Sequence, residues 1–171
     1  MAFLTTERLE IDPLETEQAS EVAAINHSDG MQQYGGLRKP SSVDDVEEWI
    51  EETDDLLFGL WRDDTFIGYV GVHQDNEVSR TEEIFAYLRD DEQGKGYGPE
   101  AVHRVIRYCF DEMNMHKIVG RAFEHNDPSQ KMLERLGFQH EGTFRNELYK
   151  QGEYRDVERY GLLRGELQEP E

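Results

Sequence analysis

The chain has 171 residues and a mass of 20.0 kDa, enough for one domain with a full core and too few for two of ordinary size. Its 38 acidic residues against 18 basic ones give a formal charge of −20, a balance that repels nucleic acid and anionic lipid alike. The longest apolar run, residues 84–88, falls far below the ~20 residues that a membrane helix needs.

Residues 1–10 carry Glu7 and Arg8 where a secretory signal would be apolar, so a cytoplasmic location is expected. Residues 8–14 alternate as an opening strand stopped by Pro13. Thr16 is placed to cap a first helix with Ala19, Val22, Ala23 and Ile25 as its apolar stripe, followed by a polar loop over 26–40. Ser41 or Ser42 caps a second helix, with Asp44 or Asp45 in the capping-box position and Val43, Val46, Trp49 and Ile50 as its buried face. Residues 41–55 hold eight acids and no base, and arginine outnumbers lysine 13 to 5. That is the surface expected of a halophilic protein from a salty cytoplasm, where counterions screen self-repulsion; the alternative is an ordinary acidic enzyme.

Residues 56–61 and 66–73 are apolar runs joined by Arg62-Asp63-Asp64-Thr65, a strand hairpin. A polar loop over 74–80 and a third strand over 82–88 follow. Val102, Val105, Ile106, Cys109, Phe110 and Met113 fall on one helical stripe, which makes the lone cysteine a core residue and excludes an internal disulfide. Residues 117–123 read as a strand. Asp127 with Pro128 at the first helical position opens a short helix that turns Met132, Leu133 and Leu136 inward and ends at Gly137. Strands over 138–144 and 157–163, around a turn at Gln151-Gly152, complete a single domain with a loose tail at 165–171. The order β-α-α-β-β-β-α-β-α-β-β implies an α+β fold, helices on a mixed, largely antiparallel sheet.

Gln93-Gly94-Lys95-Gly96-Tyr97-Gly98-Pro99 falls where a strand ends and the long helix begins. There the glycines free backbone N–H groups to face an anion, and the helix dipole adds positive potential. Pro99, read as the first helical residue, forgoes one donor and fixes the helix start. The spacing meets neither the G-x-x-x-x-G-K-[ST] loop nor the G-x-G-x-x-G fingerprint. On this cluster alone, a phosphate seat and a mere tight corner stand equal.

Gln93-x-x-Gly96-x-Gly98 resembles the Q/R-x-x-G-x-G/A motif of the GNAT acetyltransferases. Asn126-Asp127-Pro128-Ser129, followed by Leu133-Glu134-Arg135-Leu136-Gly137-Phe138, is similar to that family's N-x-x-S…LE-x-LGF segment. Glu141-Gly142-x-x-Arg145, Gly152-x-Tyr154-x-Asp156 and the opening Thr6-Glu7-Arg8-Leu9 resemble the RimJ/RimL-like branch, which acetylates ribosomal-protein N-termini. The resemblance spans nearly the whole chain and implies the GNAT fold with acetyl-coenzyme A as acyl donor. It further implies that backbone amides of Gln93, Gly94, Lys95, Gly96, Tyr97 and Gly98 hold the pyrophosphate. The strand end Ala86, Tyr87, Leu88 and Arg89 would bulge and splay so that pantetheine pairs with it, and Asn126 would contact the pantetheine arm; locally Asn126 is equally placed to cap the helix.

Acetyl transfer needs a neutral amine, a stabilised oxyanion and a proton for the leaving thiolate. Glu83 and Glu147 are the candidate bases by family resemblance, although in so acidic a chain a single glutamate is more often a solvated surface residue. The tyrosine that many relatives carry as acid is Leu133 here; in the branch that acetylates N-termini the serine of N-x-x-S lies against the coenzyme near its sulfur, so the resemblance gives Ser129 the proton-donor role, beside the plain reading of a first-turn helix serine. The six histidines show no metal spacing and no second cysteine completes a zinc set, so no metal is expected. The favoured function is acetylation of a protein N-terminal amine by direct attack in a ternary complex. The alternatives are a small-molecule N-acetyltransferase acting on a polyamine, amino acid or aminoglycoside, and a coenzyme-binding regulator without catalysis. A homodimer stays open.

Overall fold

The chain opens with a short antiparallel pair, β1 (Leu4–Thr5) and β2 (Glu10–Pro13), closed by a bond from the Thr6 N–H to the Leu9 carbonyl at 3.0 Å. The structure, a computed structural model, describes residues 1–37 and 39–170. A 3-10 turn over Thr16–Gln18 runs directly into α1 (Ala19–Asn26), so Gln18 and not Thr16 occupies the cap. Ala19, Val22, Ala23 and Ile25 are buried as expected.

The segment read as loop over 26–40 contains a helix, α2 (Asp29–Tyr34), whose cap Ser28 accepts from the Met31 N–H at 3.3 Å. Its six residues offer a single buried side chain, Met31, too little to set a period. Arg38, within that loop, lies outside the described residues. In α3 (Val43–Glu52) the capping box is closed by Ser42 and Asp45, at 3.1 and 2.8 Å. Val46 is buried, but Val43 is 40% exposed and sits off the expected face.

β3 (Leu56–Arg62), β4 (Thr65–Asn76) and β5 (Thr81–Leu88) form a meander. Asp63 and Asp64 at φ 48° and 64° make the left-handed two-residue turn that suits a twisted hairpin. β4 and β5 run further into the expected 74–80 loop, pairing Gln74 with Glu82 and Asn76 with Thr81 across an irregularity; backbone pairing there needs no apolar side chain. In α4 (Tyr97–Asp111) the stripe from Val102 to Phe110 is buried, and burial pushes the Cys109 thiol up to about 12. Met113 lies past the helix end. Tyr97 is the first helical residue, so Pro99 is the third rather than the first, still within the turn whose N–H groups lack helical partners.

β6 (Lys117–Phe123) leads to α5 (Asp127–Arg135). Asn126 is its cap, accepting from the Ser129 N–H at 3.2 Å, which moves Asp127 to the first and Pro128 to the second helical position. Gly137, at φ 99°, ends the helical segment. β7 (Gln139–Lys150) and β8 (Glu153–Leu163) run well beyond the strands read at 138–144 and 157–163. The added segment is charged and its pairing shifts between Phe144 and Leu148, so it carries no clean alternation. The tail is not loose where it is described: Leu167 packs on the core, and the Gln168 N–H donates to the Leu136 carbonyl at 2.9 Å. Glu171 lies outside the described residues.

The sheet order is β1-β2-β3-β4-β5-β6-β8-β7, with β5 and β6 parallel and the other neighbours antiparallel. This is the expected α+β architecture. One core joins α4 and α5 to the sheet through Val102, Ile106, Leu133, Ile84 and Val70. The other, of Val22, Ile25, Val46, Phe66 and Tyr69, joins α1 to α3 to the opposite face. Among the described residues, no helix is long and apolar enough to cross a membrane.

Candidate active site

β5 and β6 pair only at Thr81↔Lys117, Glu82↔Ile118 and Glu83↔Val119. Beyond that point β5 stays with β4 and β6 stays with β8, so the sheet parts and opens a cleft of about 620 Å³. The Arg89 N–H donates to the Ile67 carbonyl in β4 at 2.9 Å. By the alternation of an antiparallel ladder, the N–H groups of Ala86 and Leu88 then point away from β4, into the cleft. The strand end splays as expected, but the irregularity in its pairing lies at Gln74 and Asn76, so no bulge accompanies it at residues 86–89.

Alternation also divides the β5 side chains between the two faces. Ile84, Ala86 and Leu88 pack with α4, whereas Phe85 and Tyr87 pack with the α1 to α3 layer. Glu83 is on the latter face. The splay is therefore a passage between the α4 side and the α2 side of the sheet.

On the α4 side the cleft is lined by Gln93, Gly94, Gly96 and Gly98. Gly94 and Gly96 hold φ of 75° and 86°, a left-handed backbone open to glycine at little cost, and Gly96 is the α4 cap. The Gln93 side chain turns back, donating to the Leu88 carbonyl and to Asp90, each at 3.3 Å, so it shapes the loop. Lys95 is held by Glu92 at 3.2 Å, which also holds Arg62 at 3.1 Å; these partners keep the Glu92 carboxyl below its ordinary value, Arg62 being the larger influence. Tyr97 and Lys95 stand outside the cleft lining, Tyr97 packing against the core. Arg89 is paired with Asp91 at 2.9 Å and also stands outside the lining.

Across the cleft, α5 presents Asn126, Ser129, Met132 and Leu133. The Asn126 side-chain oxygen is committed to the Ser129 N–H, which leaves the Ser129 hydroxyl free of the capping bond. Leu133 is buried on Gly120, where an added Cβ would stand 2.6 Å from Leu133 Cδ2. On the α2 side, Glu83 lies half-buried in the cleft wall with Arg121 Nη1 at 3.5 Å. Burial raises its carboxyl above the ordinary value, and Arg121 only partly offsets this. Arg121 is drawn instead to Asp75 at 2.9 Å, and Arg159 joins the same carboxylate at 3.2 Å. Glu147 is exposed on β7 and does not line the cleft, whereas its neighbour Leu148 does.

Sequence reasoning overlooks three features of this site. α2 and the two glycines after it roof the cleft through Met31, Tyr34, Gly35 and Gly36, held by Lys150 Nζ on the Met31 carbonyl at 3.3 Å and by His125 Nε2 on that of Gln33 at 3.0 Å. Arg135 reaches the lining from the last turn of α5. Arg8 braces the glycine loop from outside. The quoted Thr6-Glu7-Arg8-Leu9 motif marks Arg8 without naming its partner; nothing local marks the other two. Among the described residues, no three His, Cys, Asp or Glu side chains gather as a metal set.

Residues 8–139 match the acetyltransferase (GNAT) domain family. A Bacillus subtilis (strain 168) protein named "Putative ribosomal N-acetyltransferase YdaF" is 29% identical over 164 residues, covering 91% of this chain and 90% of that protein. A spermidine N(1)-acetyltransferase of Vibrio cholerae is 31% identical over 97 residues, 57% of this chain and 56% of that one. A crystal structure of spermidine N-acetyltransferase from Vibrio cholerae, in complex with CoA and spermine, superposes with a TM-score of 0.86 at 25% identity, covering 94% of this chain and 98% of that one. Glycine loop, parted strands and chain-long similarity agree: the chain belongs to the GNAT acetyltransferase family and is an acetyl-coenzyme A-dependent N-acetyltransferase.

Proposed function

We propose that the chain acetylates the N-terminal α-amino group of a protein, of the ribosomal-protein type, by direct attack of the amine on the thioester. The observation that carries the chemistry is Glu83. It stands where β5 and β6 part, on the α2 face, while the glycine loop and α5 line the other face. Donor and amine then reach the splay from opposite sides. Its raised carboxyl is a better proton acceptor than a solvated glutamate, and the demand on it is modest, since an α-amino group of pKa ~8 is already partly neutral at pH 7.

The amides of Gly94, Gly96 and Gly98 would hold the pyrophosphate at the start of α4, and those of Ala86 and Leu88 the pantetheine carbonyls and the developing oxyanion. The Ser129 hydroxyl, unengaged by the cap, would pass its proton to the departing thiolate and be reprotonated through solvent by the proton that Glu83 takes from the amine. Glu147 serves this reading only if the hairpin moves, because it faces away from the cleft. The similarity to the Bacillus subtilis protein named "Putative ribosomal N-acetyltransferase YdaF", over most of both chains, supports the acceptor class.

A second reading, a small amine such as a polyamine, is favoured by the roof. Lys150 on the Met31 carbonyl, with Leu148 lining the cleft beside it, narrows the α2 side. Turnover of acetyl-coenzyme A by free-thiol release against N-terminal peptides, polyamines and amino acids separates the two. Turnover confined to peptides is expected; turnover on spermidine alone moves the assignment to the small amine. Glu83→Gln is expected to lower kcat about a hundredfold with CoA binding unchanged.

A further inference from the structure

We infer that Arg8 is a positioning residue for the coenzyme: it fixes the direction in which the Gly96 N–H points toward the pyrophosphate. The inference rests on the reading of residues 93–98 as the pyrophosphate seat. Arg8 Nη1 donates to the Lys95 carbonyl at 2.9 Å. That carbonyl and the Gly96 N–H belong to one rigid trans peptide and point in opposite directions from it. A donor that holds the carbonyl on the outer side therefore holds the N–H on the inner side, where Gly94, Gly96 and Gly98 line the cleft. Without such an anchor a peptide between glycine-rich turns is free to swing, because glycine accepts either sign of φ.

The guanidinium is itself held on three sides. Its Nε and Nη2 reach Glu100 Oε2 at 2.7 and 2.6 Å, and its carbon lies 4.5 Å from the centre of the Tyr97 ring. Glu100 also accepts from the Arg8 N–H at 3.0 Å and from the Thr6 hydroxyl. Burial alone would raise the Glu100 carboxyl, but the Thr6 and Arg8 donors together hold it below its ordinary value, so it stays ionised opposite the arginine. Glu100 is in the first turn of α4. The loop peptide is thus referenced to the helix through one planar, forked side chain, which the single ammonium of a lysine cannot reproduce.

The test compares acetyl-coenzyme A with S-acetylpantetheine, a donor without the pyrophosphate, in the wild type, Arg8→Ala and Arg8→Lys, with Tm measured alongside. Arg8→Ala is expected to raise KM for acetyl-coenzyme A about tenfold, with kcat within about twofold and S-acetylpantetheine kinetics unchanged. Arg8→Lys is expected to recover part of the loss, and it keeps the test open should Arg8→Ala prove too unstable to assay. If both donors suffer equally and Tm drops, Arg8 is only a tie between the N-terminal segment and α4, and the inference is overturned. A wild type that prefers acetyl-coenzyme A, with Arg8→Ala keeping that preference, overturns the role of Arg8 alone. A wild type that uses both donors equally overturns the pyrophosphate seat and the role of Arg8 with it.

Discussion

Glu83 meets two opposed demands. Burial raises its carboxyl, with Arg121 offsetting part of the effect, so the folded chain holds that proton more readily than the unfolded chain does. Stability from this group is therefore greatest below the ordinary carboxylate value and declines as pH rises through the higher folded value. At neutral pH the ionised glutamate is a local cost that the reaction uses. Glu83→Gln is expected to unfold at an equal or higher urea concentration at pH 7, with the difference from the wild type vanishing near pH 4, while turnover falls. A lower urea midpoint at pH 7 would sink the idea that Glu83 is held there against its preference. Ser129 gives a cleaner separation. The α5 cap uses its N–H and not its hydroxyl, so Ser129→Ala is expected to leave Tm and CoA affinity within error and to lower kcat; unchanged kcat removes it from the proton path.

At the level of elements, what the sequence disclosed was whatever is periodic or local. The α4 stripe repeats over three turns, so its buried face was legible down to Cys109, and the loop at 93–98 announced itself by glycine spacing at a strand-to-helix junction. α2 was not legible, because six residues with one buried side chain cannot show a period. The splay that makes the cleft is a property of which strands pair and for how long. The grip of Arg8 on Lys95 joins positions too far apart in the chain for any window to see. The helix end at Gly137 lies between these cases. Its glycine was readable as a stop, but part of the reason it must be glycine is tertiary: besides a φ of 99°, an added Cβ would collide with the Glu166 carbonyl oxygen. Left-handed strain costs a non-glycine residue roughly 1–2 kcal/mol before any clash. Gly137→Ala is expected to cost at least about 2 kcal/mol in urea unfolding and to release the tail that Gln168 and Leu167 dock beside it. A loss under about 0.5 kcal/mol would mean that the tail yields freely.

For the molecule as a whole, the charge is the largest unbalanced quantity. Much of the basic complement near the site is already committed: Arg121 and Arg159 to Asp75, Arg62 and Lys95 to Glu92, Arg8 to Glu100. The net −20 therefore resides in unmatched surface acids, and α3 carries a dense share with Glu47, Glu48 and Glu51 all exposed. Repulsion among such charges acts over a Debye length of roughly 10 Å at 0.1 M salt and about 3 Å at 1 M, so most of it is removable by salt. If this surface is adapted to high ionic strength, Tm is expected to climb steeply as KCl rises from 0.1 to 2 M. Salt also strengthens apolar burial to a degree, so the slope needs a control within the same core. Replacing Glu47, Glu48 and Glu51 with glutamine changes no buried side chain and removes three charges. The triple variant is expected to have the higher Tm at low salt and a shallower slope, converging on the wild type at 2 M. Parallel slopes would mean that salt acts on the core and not on the charge, and the acidic surface would then need another explanation, such as attraction of a cationic acceptor, which the same KCl series reads as a rising KM.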